Sequence, residues 1–354
     1  MRSRMSAVAG CLVVIAAGVV ACAPPAPEPG APKGIRIGLV TDTGGVNDKS
    51  FNQSAWAGVQ RAVRELGAEA RFIESKQPTD YEKNIDQFAT EKYDAIISVG
   101  FLMGDATALK ARQYPRVRFA IIDSAYRPSR GDRNCPETVK DCYADGGLTN
   151  VTSLMFQEDQ AGFLAGVVAA GMSRTGVVCT VAGMEIPPVV RFVTGFQSGA
   201  RWARPGVRTL NTYIPSFTDA AKGKESATQM VGQRCDVGFC LGGSTGNGCL
   251  LGMKEQGMMA IGVDVDQYDT YPEVRGALLT SATKNVDAAV FSYLKALSDG
   301  SVRAGVSVAN LKNGGVGLAP YHDWDGSVPQ SVRDKVAQAA AGLVDGSVAT
   351  GIQP

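Results

Sequence analysis

Short apolar runs separated by helical patterns recur along this chain in two successive sets, and that alternation permits few architectures. Runs at Ile35 to Val40, Ala70 to Glu74, Ala95 to Val99 and Arg118 to Ile122 are each followed by a polar or glycine-rich break. A second set begins at Gly176 to Ala182 and continues through Val207 to Tyr213, Val237 to Leu241 and Met259 to Val263. Units of this kind build parallel sheets with helices on their faces. The expected fold class is therefore α/β, with two doubly wound parallel-sheet lobes of ordinary domain size. The 42 glycines suit the many strand-to-helix turns.

Between the sets, Asn150 to Gln157 reads as an extended crossing into the helix Asp159 to Met172. Ala277 to Thr283 is expected to cross back, and a helix from Asn285 to Ser298 to rejoin the first lobe. Val306 to Leu318 would complete that lobe, and Val328 to Val344 would close the chain as a helix. The N-terminal lobe is thus predicted as 35–152 and 285–320, the C-terminal lobe as 153–284, and a C-terminal segment as 321–354. A ligand cleft lies between the lobes in this arrangement.

The chain opens with Arg2 and Arg4, an apolar run from Ala7 to Val20, and Val19-Val20-Ala21-Cys22. A charged start, a short apolar core and small residues before a cysteine describe a bacterial lipoprotein signal over 1–21. The run is shorter than the roughly 20 residues a spanning helix needs. Cleavage would leave Cys22 lipidated and the Pro-rich stretch 22–34 as an extended tether. The expected location is the membrane surface, facing the periplasm or the outside. Without the two arginines the formal charge of +1 becomes slightly negative, and no basic stripe interleaved with aromatics appears. Nucleic acid is not an expected partner.

Export permits disulfides. Cys135 and Cys142 bracket a polar loop and are the best candidate pair, whereas Cys179, Cys235, Cys240 and Cys249 allow three pairings. No CxxC pair and no nearby histidine favours zinc.

In an open parallel sheet, ligands gather beyond the carboxyl ends of the strands, where helix N-termini also point. The turn Asp42 to Gln53 follows the first strand and carries Asp42, Gly44, Gly45, Asp48, Ser50, Phe51 and Asn52. Asp48 and Ser50 are candidate helix caps, with Gly67 as the stop. Phe51 fits a core or staple position as well as a ligand wall. Asp123 follows another strand of the first set. In the second set, the strand ends carry Gly183 to Phe192, Gly242 to Gly246, and Gly262 to Gln267.

Four stretches in this order resemble the basic membrane protein family of lipoproteins, whose best understood members are purine nucleoside receptors of ABC transporters. They are Asp42 to Gly58, Gly183 to Phe196, Gly262 to Gln267 and Ser281 to Asp287. The resemblance implies a type I periplasmic-binding-protein fold that closes on a nucleoside, works as a monomer with membrane permease subunits, and needs no cofactor or metal. It further implies that Phe51 and Phe192 sandwich the purine, that Asn52 and Asp123 read the base edge, and that Asp42, Asp264 and Lys284 hold the ribose. Gly243 would offer a backbone amide, and Met184 would pack on the ring. Lys284 as an exposed helix start and Asp266 as a cap are the alternatives, with Phe196 and Trp56 as core. The polar insert 127–147 and Glu185 depart from the family pattern and bear on base preference.

An exported nucleoside hydrolase is the rival class. His322 is the only histidine, no G-x-S-x-G elbow precedes a helix, and Gly242 to Gly248 lacks a Walker ending. The aspartates are too dispersed for calcium. A sugar or signal receptor of the same fold is the third reading, but Trp56, Trp202 and Trp324 lie away from the strand ends.

Overall fold

The computed structural model describes residues 34–352. The expected leader, Cys22 and the tether up to residue 33 lie outside the described residues. Twelve strands alternate with helices in chain order. The first group is β1 (Arg36–Thr43), α1 (Phe51–Leu66), β2 (Glu69–Ser75), α2 (Tyr81–Thr90), β3 (Ala95–Val99), α3 (Gly104–Gln113), β4 (Arg118–Ile122) and β5 (Val151–Phe156). The second is α4 (Glu158–Met172), β6 (Val177–Ala182), α5 (Pro187–Ala203), β7 (Arg208–Tyr213), α6 (Ala220–Gly232), β8 (Val237–Leu241), α7 (Gly243–Glu255), β9 (Met259–Asp264), α8 (Gln267–Thr270) and β10 (Leu278–Lys284). The chain then runs through α9 (Val286–Ser298), β11 (Gly305–Ala309), β12 (Val316–Leu318) and α10 (Gln330–Asp345).

The strands form two six-stranded sheets, ordered β11-β5-β4-β3-β1-β2 and β12-β10-β9-β8-β6-β7. Apart from β12, every pairing is parallel. One order repeats the other strand for strand, as the two sets of apolar runs imply. Alternation along each strand feeds both faces. Ile37 and Leu39 of β1 pack toward α1, while Val40 packs toward Tyr81, Ile85 and Phe88 of α2. In α1, Ala55, Val59 and Ala62 make the buried stripe, and Gly67 stops the helix at φ +66°. The left-handed turn is the usual glycine stop.

The segment Val306 to Leu318 divides between the sheets, which corrects its assignment to the first lobe alone. β11 joins β5, but the turn 310–315 reverses the chain and β12 pairs antiparallel with β10 through Thr283 and Gly317. Asn310 and Asn313 hold that turn by reciprocal amide-to-side-chain bonds. Three short segments therefore connect the sheets: 156–158, 284–286 and 309–316.

The six cysteines among the described residues are buried and paired. Cys135 is bonded to Cys142 in the polar insert, Cys179 to Cys235 and Cys240 to Cys249. The open choice among three pairings is thereby resolved.

Candidate functional site

Residues at the strand ends of both sheets surround one cavity of about 650 Å³, counting space open to solvent at its mouth. Small-molecule sites commonly span roughly 300–1,000 Å³. The first sheet and α1 contribute Asp42, Asp48, Phe51, Asn52, Phe101 and Asp123. The second contributes Ile186, Phe192, Phe217, Gly243, Asp264 and Lys284.

Backbone geometry at these edges is matched between lobes. Gly100 after β3 and Gly242 after β8 have φ of +112° and +105°, and Asp123 after β4 and Asp264 at the end of β9 have +68° and +67°. Left-handed aspartates cost on the order of 1–3 kcal/mol and persist where the surroundings hold them. A side chain at Gly100 would run into the Asp42 carboxylate. The glycine lets that carboxylate lie flat against the next strand end.

At the start of α1 the capping work falls to Asp48. Its carboxylate accepts the amides of Ser50 (3.0 Å), Asn52 (3.0 Å) and Gln53 (3.1 Å). Ser50 does not cap through its side chain; its hydroxyl donates instead to Asp264 Oδ2 at 2.5 Å. Phe51, the first residue of α1, is half-buried with the Lys284 ammonium 4.9 Å from its ring centre. Across the cavity Phe192 is 4% exposed and meets Phe239 edge-on at 5.9 Å. α4 and α5 approach to backbone contact here, since a side chain at Gly162 would strike the Phe192 carbonyl and one at Gly195 the Asp159 carbonyl.

That approach brings Glu158 up to Lys284, one of the residues that line the cavity. Lys284 Nζ lies 2.6 Å from Asp123 Oδ2 and 3.0 Å from Glu158 Oε1, with Arg191 Nε 3.3 Å from Glu158 Oε2. The two carboxylates hold the lysine firmly protonated, its pKa pushed upward against burial. One ammonium shared between two acids does not offset their desolvation, so Glu158 is raised to about 7 and Asp123 is also raised. Burial, followed by the Asp48 charge, raises Asp42 to about 7. Burial likewise takes Asp264 to about 6. Asp48 is raised by burial, against the pull of its amide bonds. Asp123 Oδ1 and Asn52 Oδ1 are buried without a hydrogen-bond partner among the described residues.

Beside the cavity the lobes touch directly. Asn247 Nδ2 donates to the Asp48 carbonyl at 2.8 Å, and the Lys49 carbonyl accepts from Thr270 Oγ1 at 2.8 Å and Gln267 Nε2 at 3.3 Å. The arrangement is closed around a donor-seeking interior.

A family model described as ABC transporter substrate-binding protein PnrA-like matches residues 35–343. The chain belongs to this family. It is 31% identical over 333 residues to the ABC transporter nucleoside-binding protein BmpA of Lactococcus lactis subsp. cremoris (strain MG1363), covering 89% of this chain and 88% of that one. It is 30% identical over 257 residues to basic membrane protein A of Borreliella burgdorferi, covering 72% and 70%. An ABC transporter solute-binding protein structure from Aeropyrum pernix K1 matches with a TM-score of 0.78 at 26% identity, covering 89% of this chain and 92% of that one. The α/β solute-binding-protein fold and the family expected from the motifs are both found.

Of the residues singled out for this PnrA-like chain, Asp42, Phe51, Asn52, Asp123, Phe192, Gly243, Asp264 and Lys284 line the cavity. Met184 is not among the lining residues. Its carbonyl accepts the Ile186 amide at 2.9 Å in a tight turn that gives the wall to Ile186. Glu185 is exposed. Asp266 caps α8 through the Tyr268 amide and meets His322 at 2.6 Å, outside the cavity. Phe196 is fully buried, and Trp56 is half-buried against Phe72. Lys284 is 2% exposed, so it does not begin an exposed helix.

Sequence reasoning missed Phe217 and Glu158, the buried partner of Lys284. Phe101 belongs to a strand end that the sequence marks, Ser98 to Met103, but without a role of its own. Phe217 carried no signal: it follows β7 by several residues and reaches the site by lying on Gly183 and Gly242.

Proposed function

We propose that this substrate-binding protein captures a purine nucleoside between its lobes and hands it to the permease of an ABC importer. The observation that carries the reading is a single cavity with phenylalanines on both sides and buried carboxylates between them. A flat base offers two apolar faces for aromatic rings and an edge of hydrogen-bonding groups. Ribose offers vicinal hydroxyls that a carboxylate accepts. The Lactococcus relative is named a nucleoside-binding protein, which agrees with this assignment.

The residues divide the guest as follows. Phe51 and Phe192 stack on the base, and Phe101 and Phe217 extend the apolar wall. Asn52 and Asp123 keep free oxygens for base N–H groups. Asp42, Asp264 and Lys284 take the ribose. Two of the three ammonium hydrogens go to Asp123 and Glu158, leaving one for a hydroxyl. Ser50 occupies one oxygen of Asp264 and leaves the other. Gly243 brings its amide close without side-chain obstruction.

Capture proceeds by hinge closure through the three connecting segments, a population shift toward the form in which both lobes touch the guest. The protein is not an enzyme in this reading, and works as a monomer held at the membrane surface by lipid on Cys22. No helix among the described residues is long and apolar enough to cross a membrane. The test is calorimetric titration with adenosine, guanosine, inosine, cytidine and ribose. Purine nucleosides are expected to bind and ribose alone to fail. Ribose binding as tightly as the nucleosides would overturn the stacking assignment, and release of free base from inosine would overturn the receptor role.

A further inference from the structure

We propose that the cavity rejects phosphorylated guests and that Asp48, which carries no role in holding the nucleoside itself, is the residue that sets this rejection. The inference rests on the nucleoside reading and narrows it to uncharged nucleosides.

Four carboxylates line the cavity, Asp42, Asp48, Asp123 and Asp264, each no more than 7% exposed. Among the described residues the lining contains one cation, Lys284, already engaged by Asp123 and Glu158. Away from bulk water, a charge acts far more strongly on a neighbouring charge than it does in solvent. The N-termini of α1, α5 and α7 also reach this space, and an unoccupied helix start is a ready place for phosphate; α5 opens with two prolines, which have no amide to offer. The α7 start is glycine-rich, from Gly242 to Gly246, as phosphate-holding turns often are.

Asp48 stands at both α1 and α7. Its carboxylate fills the α1 start by accepting three amides, bonds that favour the ionised form. Its Oδ2 lies 3.8 Å from the point a Cβ on Gly243 would occupy, the first residue of α7. A phosphate seated on the α7 amides would therefore face a buried carboxylate with no counterion to spare. Asn247 fixes this geometry by bonding the Asp48 carbonyl from the second lobe. The same closed contact that completes the cavity brings Asp48 to the α7 start.

The experiment compares three guests by calorimetry on the full chain: the tightest-binding purine nucleoside, its 5′-monophosphate, and its 5′-deoxy-5′-methylthio derivative, which adds bulk at that end without charge. The expected result is a monophosphate at least 100-fold weaker than the nucleoside and a methylthio derivative within about tenfold of it. Asp48→Asn keeps a capping side chain and should narrow the monophosphate gap at least tenfold. Asp48→Ser, another capping residue, replaces it if the asparagine variant does not fold. Rejection of the methylthio derivative as strong as that of the monophosphate would assign the effect to size and overturn the proposal. An unchanged gap in a folded Asp48 variant would also overturn it. Absence of binding by adenosine, guanosine and inosine alike would bring down the nucleoside reading together with this one.

Discussion

Asp123 and Asp264 occupy corresponding strand ends in the two lobes with φ values one degree apart, and Gly100 and Gly242 correspond in the same way. The side chains around them do not. The first lobe adds Asp42, Asp48 and Asn52 beside Phe51 and Phe101, whereas the second adds Ile186, Val189, Phe192, Phe217 and Leu241. A common backbone device turns both sheet edges toward the cavity, and the first wall then mixes acceptors with two phenylalanines while the second is mainly apolar apart from Asp264 and Lys284. Lys284 is a cation from the second sheet set against Asp123 of the first.

The division is open to attack first at Lys284. Lys284→Met leaves Asp123 and Glu158 buried without their shared cation, and breaking such a pair typically costs about 3–5 kcal/mol. Denaturant unfolding should show a loss of that order, with nucleoside binding abolished. A midpoint unchanged from wild type would mean that the ammonium does not hold the two edges together.

Next come the two phenylalanines. Phe192→Ala removes a buried ring packed on Phe239 and should lower stability by about 3–5 kcal/mol. Phe51→Ala, at a half-buried position, should cost base stacking of roughly 1–3 kcal/mol in affinity and much less in stability. Equal stability losses would place Phe51 in the core and blur the contrast between the walls.

A smaller effect tests one carboxylate from each wall by pH. Asp42 and Asp264, raised mainly by burial to about 7 and about 6, hold protons in the folded protein that they release on unfolding. Their contribution to stability is full below the ordinary aspartate pKa near 4 and is lost as pH rises through 6 to 7. The ligand-free protein should therefore melt lower at pH 8 than at pH 5. Ribose hydroxyls donate to the ionised carboxylates, so nucleoside affinity should rise over the same interval. Affinity independent of pH, measured by calorimetry from pH 5 to 8, would remove the ribose from these two carboxylates.

Met184→Ala should do least, changing nucleoside affinity by less than about 0.5 kcal/mol, because Ile186 takes the wall. A larger loss in calorimetry would return Met184 to the site.

How far these features are legible in the sequence depends on the range of the interactions behind them. The repeated βα pattern and the carboxylates at strand ends are local signals, and Asp42, Asp123 and Asp264 could be located from them. The burial of Lys284 is not local. A lysine before a helix reads as exposed until the fold brings it to partners 161 and 126 residues away. Phe217 is illegible for a similar reason, since its route to the cavity depends on glycines of two other strand ends. The pairing of Cys179 with Cys235 and of Cys240 with Cys249 depends on which elements lie side by side. The lobe to which β12 belongs is not legible either, because the asparagine turn before it is too short to announce a crossing.

The most direct measurement is a crystal structure of the protein with the tightest-binding purine nucleoside. The account predicts the base between Phe51 and Phe192, with its edge toward Asn52 and Asp123 and its ribose on Asp42, Asp264 and Lys284. A base resting on the carboxylates with its sugar against the phenylalanines, or a nucleoside bound outside the cavity, would contradict it.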